Sequence, residues 1–226
     1  MADLLEAIEL QTGPKPKHCV IWMHGLGADG HDFVPVVQEL GLENAPPVRF
    51  IFPHAPMQPV TINNGYVMRA WYDVKWGDLE GNSRQADEKG VRASQAAIGA
   101  LIEEETSGNG TPVGNIVLAG FSQGGAIALQ TALRYRQKLG GVMALSCYLP
   151  LAESLAHEGA AENRATPIFL AHGTQDQVVP YAMGKRSRDL LEQAGYPIEW
   201  HEYPMQHSVS LEEIRDIGAW LKRVIA

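Results

Sequence analysis

The sequence predicts an α/β domain with a mostly parallel central sheet of about seven strands and helices on both faces. Short apolar, β-branched runs alternate along the chain with amphipathic helical stretches, a pattern typical of right-handed strand–helix–strand crossovers. Most of these runs are apolar almost throughout, as expected for strands that are covered on both sides. The chain has 226 residues and no internal repeat or low-complexity linker, so we expect a single domain over residues 1–226.

The predicted elements follow one another in a regular order. A leading strand, antiparallel to the others, is expected in EAIELQT near the N-terminus. Apolar composition and periodicity then predict six strands, at residues 19–24, 48–53, 115–121, 141–146, 167–172 and 198–203. Helical periodicity predicts four helices, at residues 86–105, 126–137, 181–194 and 210–225.

Bulk properties exclude several classes of function. The net charge is −8 and no Lys/Arg-rich block occurs, so we expect no nucleic-acid partner, because phosphate contacts need clustered cations. No apolar run approaches the roughly 20 residues of a membrane span, so we expect no stable membrane insertion. The N-terminus lacks the early basic residues of a signal peptide. Cys19 and Cys147 lie in apolar runs and are expected to be buried, reduced thiols of a cytoplasmic protein.

One long segment interrupts the strand–helix alternation. Residues 54–83 have weak periodicity, and structureless connections of this length are uncommon in compact domains and often functional. The segment carries five large apolar or aromatic side chains: Met57, Met68, Trp71, Tyr72 and Trp76. We expect it to cover a substrate pocket, since such pockets tend to be apolar and aromatic. The alternative is a surface excursion that packs on its own aromatic residues.

A serine between glycines is the first candidate for chemistry. Gly120-Phe121-Ser122-Gln123-Gly124 matches G-x-S-x-G, and it lies between a predicted strand and a predicted helix. In that context the pattern predicts a sharp turn that exposes the serine hydroxyl above the sheet, beside the free N–H groups of the helix. Ser122 is therefore the candidate nucleophile. The alternative is a serine that simply caps the helix.

A serine nucleophile needs a base, and in this arrangement the histidine follows the acid in the chain. Four histidines follow the serine: His157, His172, His201 and His207. The last of them lies in the loop between the last strand and the last helix, at the carboxyl edge of the sheet where catalytic groups of open α/β sheets gather. His207 is the candidate base. His172 ends a strand and is expected to support the turn that follows it.

The acid and the oxyanion donors are predicted at the same edge. Asp176 follows a strand end in HGTQDQVVP and is the candidate acid, with an Asx-turn as the alternative role. The N–H of Gln123 is one candidate oxyanion donor, and the N–H of Leu26, in the glycine-rich loop HGLGADG, is the other. His24 is expected to be a structural hydrogen-bonding residue of that loop. GLGADG also fits a dinucleotide fingerprint, but no acid suited to bind a ribose ends the next strand.

Taken together, HGLGADG, GFSQGGA, HGTQDQVVP and YPMQHSV resemble the carboxylesterase and acyl-protein thioesterase family, also described as phospholipase/carboxylesterase. FPHAP, RAWYD and SCYLPL extend the resemblance over nearly the whole chain. The resemblance implies Ser122 as nucleophile, Asp176 and His207 as its partners, and Leu26 and Gln123 as oxyanion donors. It also implies an α/β-hydrolase fold without a large lid domain, no cofactor or metal, and a homodimer. Where bacterial relatives often have Gly before the histidine, this chain has Gln206.

The sequence thus predicts a serine hydrolase that cleaves esters or thioesters of short-to-medium acyl chains through an acyl-enzyme. Lysophospholipase and acyl-protein thioesterase are the alternative natural roles. A lipase is disfavoured, because lipases usually have a mobile amphipathic lid and the sequence has no helical insert to form one. No feature of the sequence favours a peptidase or a non-catalytic binding scaffold. Trp71, Met68 and Leu149 are candidate acyl-pocket residues.

Overall fold

The computed structural model of the protein describes residues 4–75, 77–78 and 87–226. Its strands are β1 (Ala7–Gln11), β2 (His18–Met23), β3 (Val48–Pro53), β4 (Met57–Val60), β5 (Tyr66–Arg69), β6 (Ile116–Phe121), β7 (Gly141–Leu145), β8 (Ile168–Gly173) and β9 (Ile198–Tyr203). Its α-helices are α1 (Glu88–Ser107), α2 (Gln123–Ala132), α3 (Leu155–Glu158), α4 (Tyr181–Gln193) and α5 (Leu211–Val224). A longer 3₁₀-helix covers Val34–Leu40.

The predicted fold class is confirmed. Seven strands form one sheet in the order β1-β3-β2-β6-β7-β8-β9. All neighbouring pairs in it are parallel except β1 and β3, which are antiparallel with Ala7 opposite Pro53. The leading strand expected in EAIELQT is therefore the antiparallel edge of a sheet that is otherwise parallel. The helix predicted at residues 126–137 begins earlier, directly after the serine turn, and ends at Ala132.

The hydrophobic core has two layers, one on each face of the sheet. Alternate residues of β2 point to opposite faces, with Ile21 in the layer under α1 and α2 and Trp22 in the layer under α5 and the 3₁₀-helix. All ten residues of α2 are buried, so this helix is enclosed by its neighbours. Coverage on both faces explains why the central strands are apolar throughout.

The segment of residues 54–83 has more structure than its weak periodicity predicted. It contains the antiparallel hairpin of β4 and β5, with Met57 opposite Arg69. The turn includes Asn64 and Gly65 at φ 56° and 76°, the positive values that an Asn-Gly dipeptide supplies at low cost. The Asn-Gly dipeptide is the feature of the sequence that could have predicted this hairpin. Trp76 and residues 79–83 of the segment lie outside the described residues.

No helix among the described residues is both long enough and apolar enough to cross a membrane.

A buried carboxyl group lies at the start of α5. The Ser210 hydroxyl caps this helix by accepting a hydrogen bond from the Glu213 N–H at 3.1 Å, and the Glu213 side chain is fully buried. Burial raises the pKa of Glu213 from 4.5 to about 8; the Ser210 backbone N–H opposes the rise and the charge of Asp216 adds to it. The folded chain therefore keeps a proton that the unfolded chain releases between these two values.

We predict that Glu213→Gln stabilises the protein at alkaline pH. The raised pKa means that the wild type loses stability as pH rises from about 4.5 to about 8. Glutamine has nearly the same shape as glutamate and does not ionise. The free energy of unfolding of the variant should exceed that of wild type by on the order of a few kcal/mol at high pH, and by much less at pH ~5. Urea denaturation at both pH values measures the difference. Glu212→Gln, at the exposed neighbouring position, is the control; an equal effect of Glu213→Gln at both pH values would contradict the prediction.

Candidate active site

Ser122 occupies a strained turn between β6 and α2. Its backbone has φ 55° and ψ −121°, a region in which a side chain costs about 1–3 kcal/mol. Neighbouring elements hold it there: the Ser122 N–H donates to the Leu145 carbonyl at 2.8 Å, and the Ser122 carbonyl accepts from the Ala126 N–H at 3.0 Å. The residue is 9% exposed, so the turn presents its hydroxyl at the surface of an otherwise buried region.

Two glycines make this turn possible because the chain passes very close to itself. A Cβ on Gly120 would lie 2.2 Å from the Gly124 carbonyl carbon. A Cβ on Gly124 would lie 2.3 Å from the Met23 carbonyl oxygen. Backbone atoms cannot move away as a flexible side chain can, so the G-x-S-x-G spacing is a steric requirement of the fold.

The structure brings Ser122, His207 and Asp176 together. His207 Nε2 lies 3.0 Å from Ser122 Oγ, and His207 Nδ1 lies 2.7 Å from Asp176 Oδ2. The carboxylate accepts the Nδ1–H, which leaves the Nε2 lone pair facing the serine hydroxyl. The Asp176 side chain is 0% exposed and that of His207 is 14% exposed. This arrangement can take the proton of the serine while the buried carboxylate stabilises the resulting imidazolium.

The loops that carry the acid and the histidine are bound to each other. The Thr174 N–H donates to the Tyr203 carbonyl at 2.8 Å, and the Gln175 N–H donates to the Met205 carbonyl at 3.1 Å. These bonds extend the pairing of β8 with β9 beyond the strand ends. The Phe121 ring packs on His207 with 4.7 Å between the ring centroids, which limits rotation of the imidazole.

The glycine-rich loop after β2 lies against the serine turn. A Cβ placed on Gly25 would be 3.5 Å from the Cβ of Ser122. The Gly27 N–H donates a hydrogen bond to the Arg69 carbonyl at 2.9 Å. In the described part of the chain, by contrast, no acceptor bonds the N–H of Leu26 or of Gln123. Both predicted oxyanion donors are thus unoccupied N–H groups, and the second is at the positive end of the α2 dipole.

The Gln123 side chain has a structural role that the sequence did not suggest. Its Oε1 accepts from the Trp71 N–H at 2.8 Å, and its Nε2 donates to the Tyr72 carbonyl at 2.6 Å. The Trp71 indole N–H donates to the His24 carbonyl at 2.9 Å. The segment RAWYD is therefore bound to both the serine turn and the glycine-rich loop. No local sequence signal marks this contact, because its partners are 51 and 52 residues apart.

His24 bonds to backbone through both ring nitrogens. Its Nδ1–H donates to the Gly25 carbonyl at 2.7 Å, and its Nε2 accepts from the Ala55 N–H at 3.0 Å. Burial lowers the pKa of His24, which favours this neutral form. With both nitrogens engaged, His24 is a structural residue of the loop.

A cavity of about 250 Å³ is lined by the chain that follows β7, by residues of α1 and α4, and by Tyr72. Its apolar lining among the described residues includes Val91, Leu149, Leu151, Met183 and Leu190. Tyr72, which also lines it, is the residue whose carbonyl accepts from Gln123. Ser122, Gln123, Asp176 and His207 do not line the cavity, so Tyr72 is its link to the serine turn.

Of the three candidate acyl-pocket residues, only Leu149 lines this cavity. Trp71 is 1% exposed because its backbone and indole N–H groups both bond inward, so it offers almost no surface to a ligand. The Met68 sulfur lies beside Gly27, 3.6 Å from where a Cβ would be, and so contacts the glycine-rich loop instead. Met57 is 58% exposed on the hairpin.

Comparisons with known proteins cover nearly the whole chain. A sequence profile of the family described as phospholipase/carboxylesterase matches residues 6–225. Acyl-protein thioesterase 1 of Yarrowia lipolytica is 40% identical over 210 residues, which are 91% of this chain and 91% of that protein. Carboxylesterase SOBER1 of Arabidopsis thaliana is 36% identical, over 90% of this chain and 89% of that protein. The SOBER1 crystal structure superposes with a TM-score of 0.83 at 34% identity, covering 92% of this chain and 99% of that one.

We predict that Gly124→Ala destabilises the protein by about 2 kcal/mol or more. The added methyl would meet the Met23 carbonyl oxygen at 2.3 Å, so β2 and the serine turn would have to separate. The matched control is Gly99→Ala in α1, where a Cβ meets nothing within 4 Å and a gain of about 0.5–1 kcal/mol is expected. Urea denaturation measures both; equal stability of the two variants would refute the steric argument.

Proposed function

The chain belongs to the phospholipase/carboxylesterase family of α/β-hydrolases, and we propose that Ser122, His207 and Asp176 carry its reaction. The protein is an enzyme, a serine hydrolase of carboxylic esters or thioesters. The proposal of the three residues rests on one observation: the continuous hydrogen-bonded chain Ser122 Oγ–His207 Nε2 and His207 Nδ1–Asp176 Oδ2, at 3.0 Å and 2.7 Å.

In the proposed mechanism, His207 takes the proton of Ser122 as the hydroxyl oxygen attacks the acyl carbonyl carbon. His207 then gives this proton to the departing alcohol or thiol, and the acyl group stays on Ser122. Water, deprotonated by His207, attacks the acyl-enzyme and releases the carboxylic acid and the free serine. Asp176 stays ionised throughout and holds the imidazole in the required tautomer. His207 must be neutral to act as this base.

The N–H groups of Leu26 and Gln123 are the proposed oxyanion donors. The absence of an acceptor on either group in the described residues supports this, since an oxyanion site needs donors that are free before the reaction. The adjacent Gly25, which packs on Ser122, lets the backbone of the loop come close to the reacting carbonyl.

The cavity lined by Tyr72 and Leu149 is the proposed acyl-chain site. Its apolar lining residues suit an alkyl chain, and the charged side chains of Asp87, Glu153 and Arg186 also line it. Its volume of about 250 Å³ suits short-to-medium acyl groups. Residues 54–75 of the long segment are proposed to form part of the cover over the site. In support of this, Trp71 and Tyr72 are bonded to Gln123.

The natural substrate we propose is a protein that carries an acyl group in a thioester linkage. The observation in favour is that a relative 40% identical over 91% of this chain is an acyl-protein thioesterase. A small carboxylic ester or a lysophospholipid is the second candidate, since a carboxylesterase is 36% identical. The leaving group distinguishes the candidates, because the acyl chemistry at Ser122 is the same for each.

We also propose that the enzyme works in the cytoplasm as a homodimer. Cys19 and Cys147 are buried free thiols, as expected in a reducing compartment. The homodimer is proposed from the family resemblance. Light scattering on the purified protein would test it.

We predict that Ser122→Ala abolishes hydrolysis of a short p-nitrophenyl acyl ester. If the serine is the nucleophile, the loss in kcat should be on the order of 10⁶, as for other triads. Ser107→Ala, at an exposed serine of α1, is the control and should match the wild type. Equal activity of the Ser122 variant and the wild type would place the activity elsewhere. If neither protein acts on the ester, thioesters are the next substrate to assay.

We predict that Ala182→Trp shortens the accepted acyl chain. Ala182 is an exposed residue of α4 that lines the cavity, so an indole there narrows the mouth. kcat/KM for an octanoyl ester should fall at least about tenfold relative to an acetyl ester. Ala96→Trp, at an exposed alanine of α1 that lines a separate groove, is the control. An unchanged chain-length profile of the Ala182 variant would exclude this cavity as the acyl site.

A further inference from the structure

A second histidine lies directly behind the acid. His172 is in β8, one residue before the strand ends, and its side chain is 0% exposed. Its Nε2 lies 2.9 Å from the Val179 carbonyl oxygen and 3.4 Å from Asp176 Oδ2. A Cβ on Gly184 would be 2.2 Å from His172 Nδ1, so α4 packs tightly on the opposite edge of the ring.

These contacts determine the tautomer of His172. A carbonyl oxygen can only accept a hydrogen bond, so Nε2 must carry the proton. Burial lowers the pKa of His172, and Nδ1 has no partner among the described residues, so the ring is neutral. His172 is therefore a fixed N–H donor: its Nε2–H bonds the Val179 carbonyl, and Asp176 Oδ2 lies 3.4 Å from the same nitrogen.

Every oxygen of the Asp176 carboxylate is engaged in this buried site. Oδ1 accepts from the Val178 N–H at 2.9 Å and the Val179 N–H at 3.0 Å. Oδ2 accepts from His207 Nδ1 and faces His172. The bonds to Oδ1 fix the position of the carboxylate, whereas the environment of Oδ2 determines how much of its charge is available to His207.

We propose that His172 is a positioning residue of the reaction, which orients Asp176 Oδ2 and shares its negative charge with His207. The inference rests on the proposed roles of Asp176 and His207. When the N–H dipole of His172 is lost, less of the negative charge on Oδ2 is compensated, and the protonated form of His207 gains stability. The acid limb of the pH–rate profile then moves to higher pH. The other titratable group packed on His172 is Tyr181 of α4, with 6.1 Å between the ring centroids; Trp200 of β9 is also packed on it.

The first test compares His172→Leu with His172→Gln in pH profiles of kcat and KM. Leucine removes the donor, whereas the terminal amide of glutamine can place an N–H near the position of Nε2. We expect His172→Leu to lower kcat about tenfold, since it removes the bond to the Val179 carbonyl that supports the turn holding Asp176. KM should be nearly unchanged and the acid limb shifted upward. His172→Gln should restore most of the wild-type kcat and return the acid limb of the pH–rate profile to nearly its wild-type pH. A folded leucine variant with wild-type kcat and an unshifted limb would overturn the inference.

A double-mutant cycle with Asp176→Ala separates positioning from general damage to the fold. If His172 acts through Asp176, His172→Leu should have little further effect on kcat once the carboxylate is absent. An equal effect in both backgrounds would show that His172 acts structurally and would overturn the inference alone. Wild-type activity of Asp176→Ala itself would instead refute the proposed role of the acid, and the inference with it.

A measurement on the wild type covers the case in which the leucine variant does not fold. In protein labelled with ¹⁵N-histidine, the His172 Nε2–H resonance should shift with the same midpoint as the protonation of His207, because both rings share Asp176 Oδ2. A resonance that does not respond when His207 titrates, or a His172 protonated on Nδ1 alone, would overturn the inference.

Discussion

The site depends on a backbone conformation that Ser122 would not adopt by itself. Its φ of 55° is unfavourable for any residue with a side chain, by about 1–3 kcal/mol, and it persists because the strand before it and the helix after it are both anchored. β6 is paired on both sides, with β2 and with β7, and α2 is buried along its whole length. The two-layered core thus holds the strain, and the strain directs the serine hydroxyl out of the sheet.

Parallel strands explain why distant residues meet at this point. The carboxyl ends of β6, β8 and β9 lie at one edge of the sheet, so the loops that follow them converge. Ser122 and His207 are 85 residues apart in the chain and His207 and Asp176 are 31 apart, yet each pair is within hydrogen-bonding distance. Backbone bonds between the loops after β8 and β9 continue the sheet pairing outward, which gives the acid and the histidine a common rigid support.

Buried polar side chains that are hydrogen-bonded to backbone groups surround the serine turn. His24 fixes the glycine-rich loop through Gly25 and Ala55, and Gln123 fixes the RAWYD segment. Each is buried, where an unmade hydrogen bond is expensive and a made one is strong. Their common effect is to keep loop backbone in place before substrate arrives, which is the condition for electrostatic stabilisation of an oxyanion without reorganisation.

By itself the sequence determined the fold class, the order of the seven strands of the central sheet along the chain and of the four long helices, and the serine turn. These depend on local periodicity and on steric needs of glycine that neighbouring residues encode. It also singled out Asp176 and His207 as the candidate acid and base, because each follows a predicted strand. The tertiary structure alone decided which side chains touch: that Trp71 is buried beneath Gln123 instead of lining a pocket, that Leu149 borders the cavity, and that His172 lies behind Asp176. Such contacts join residues far apart in the chain, and they depend on strand register and side-chain packing, which no local pattern specifies.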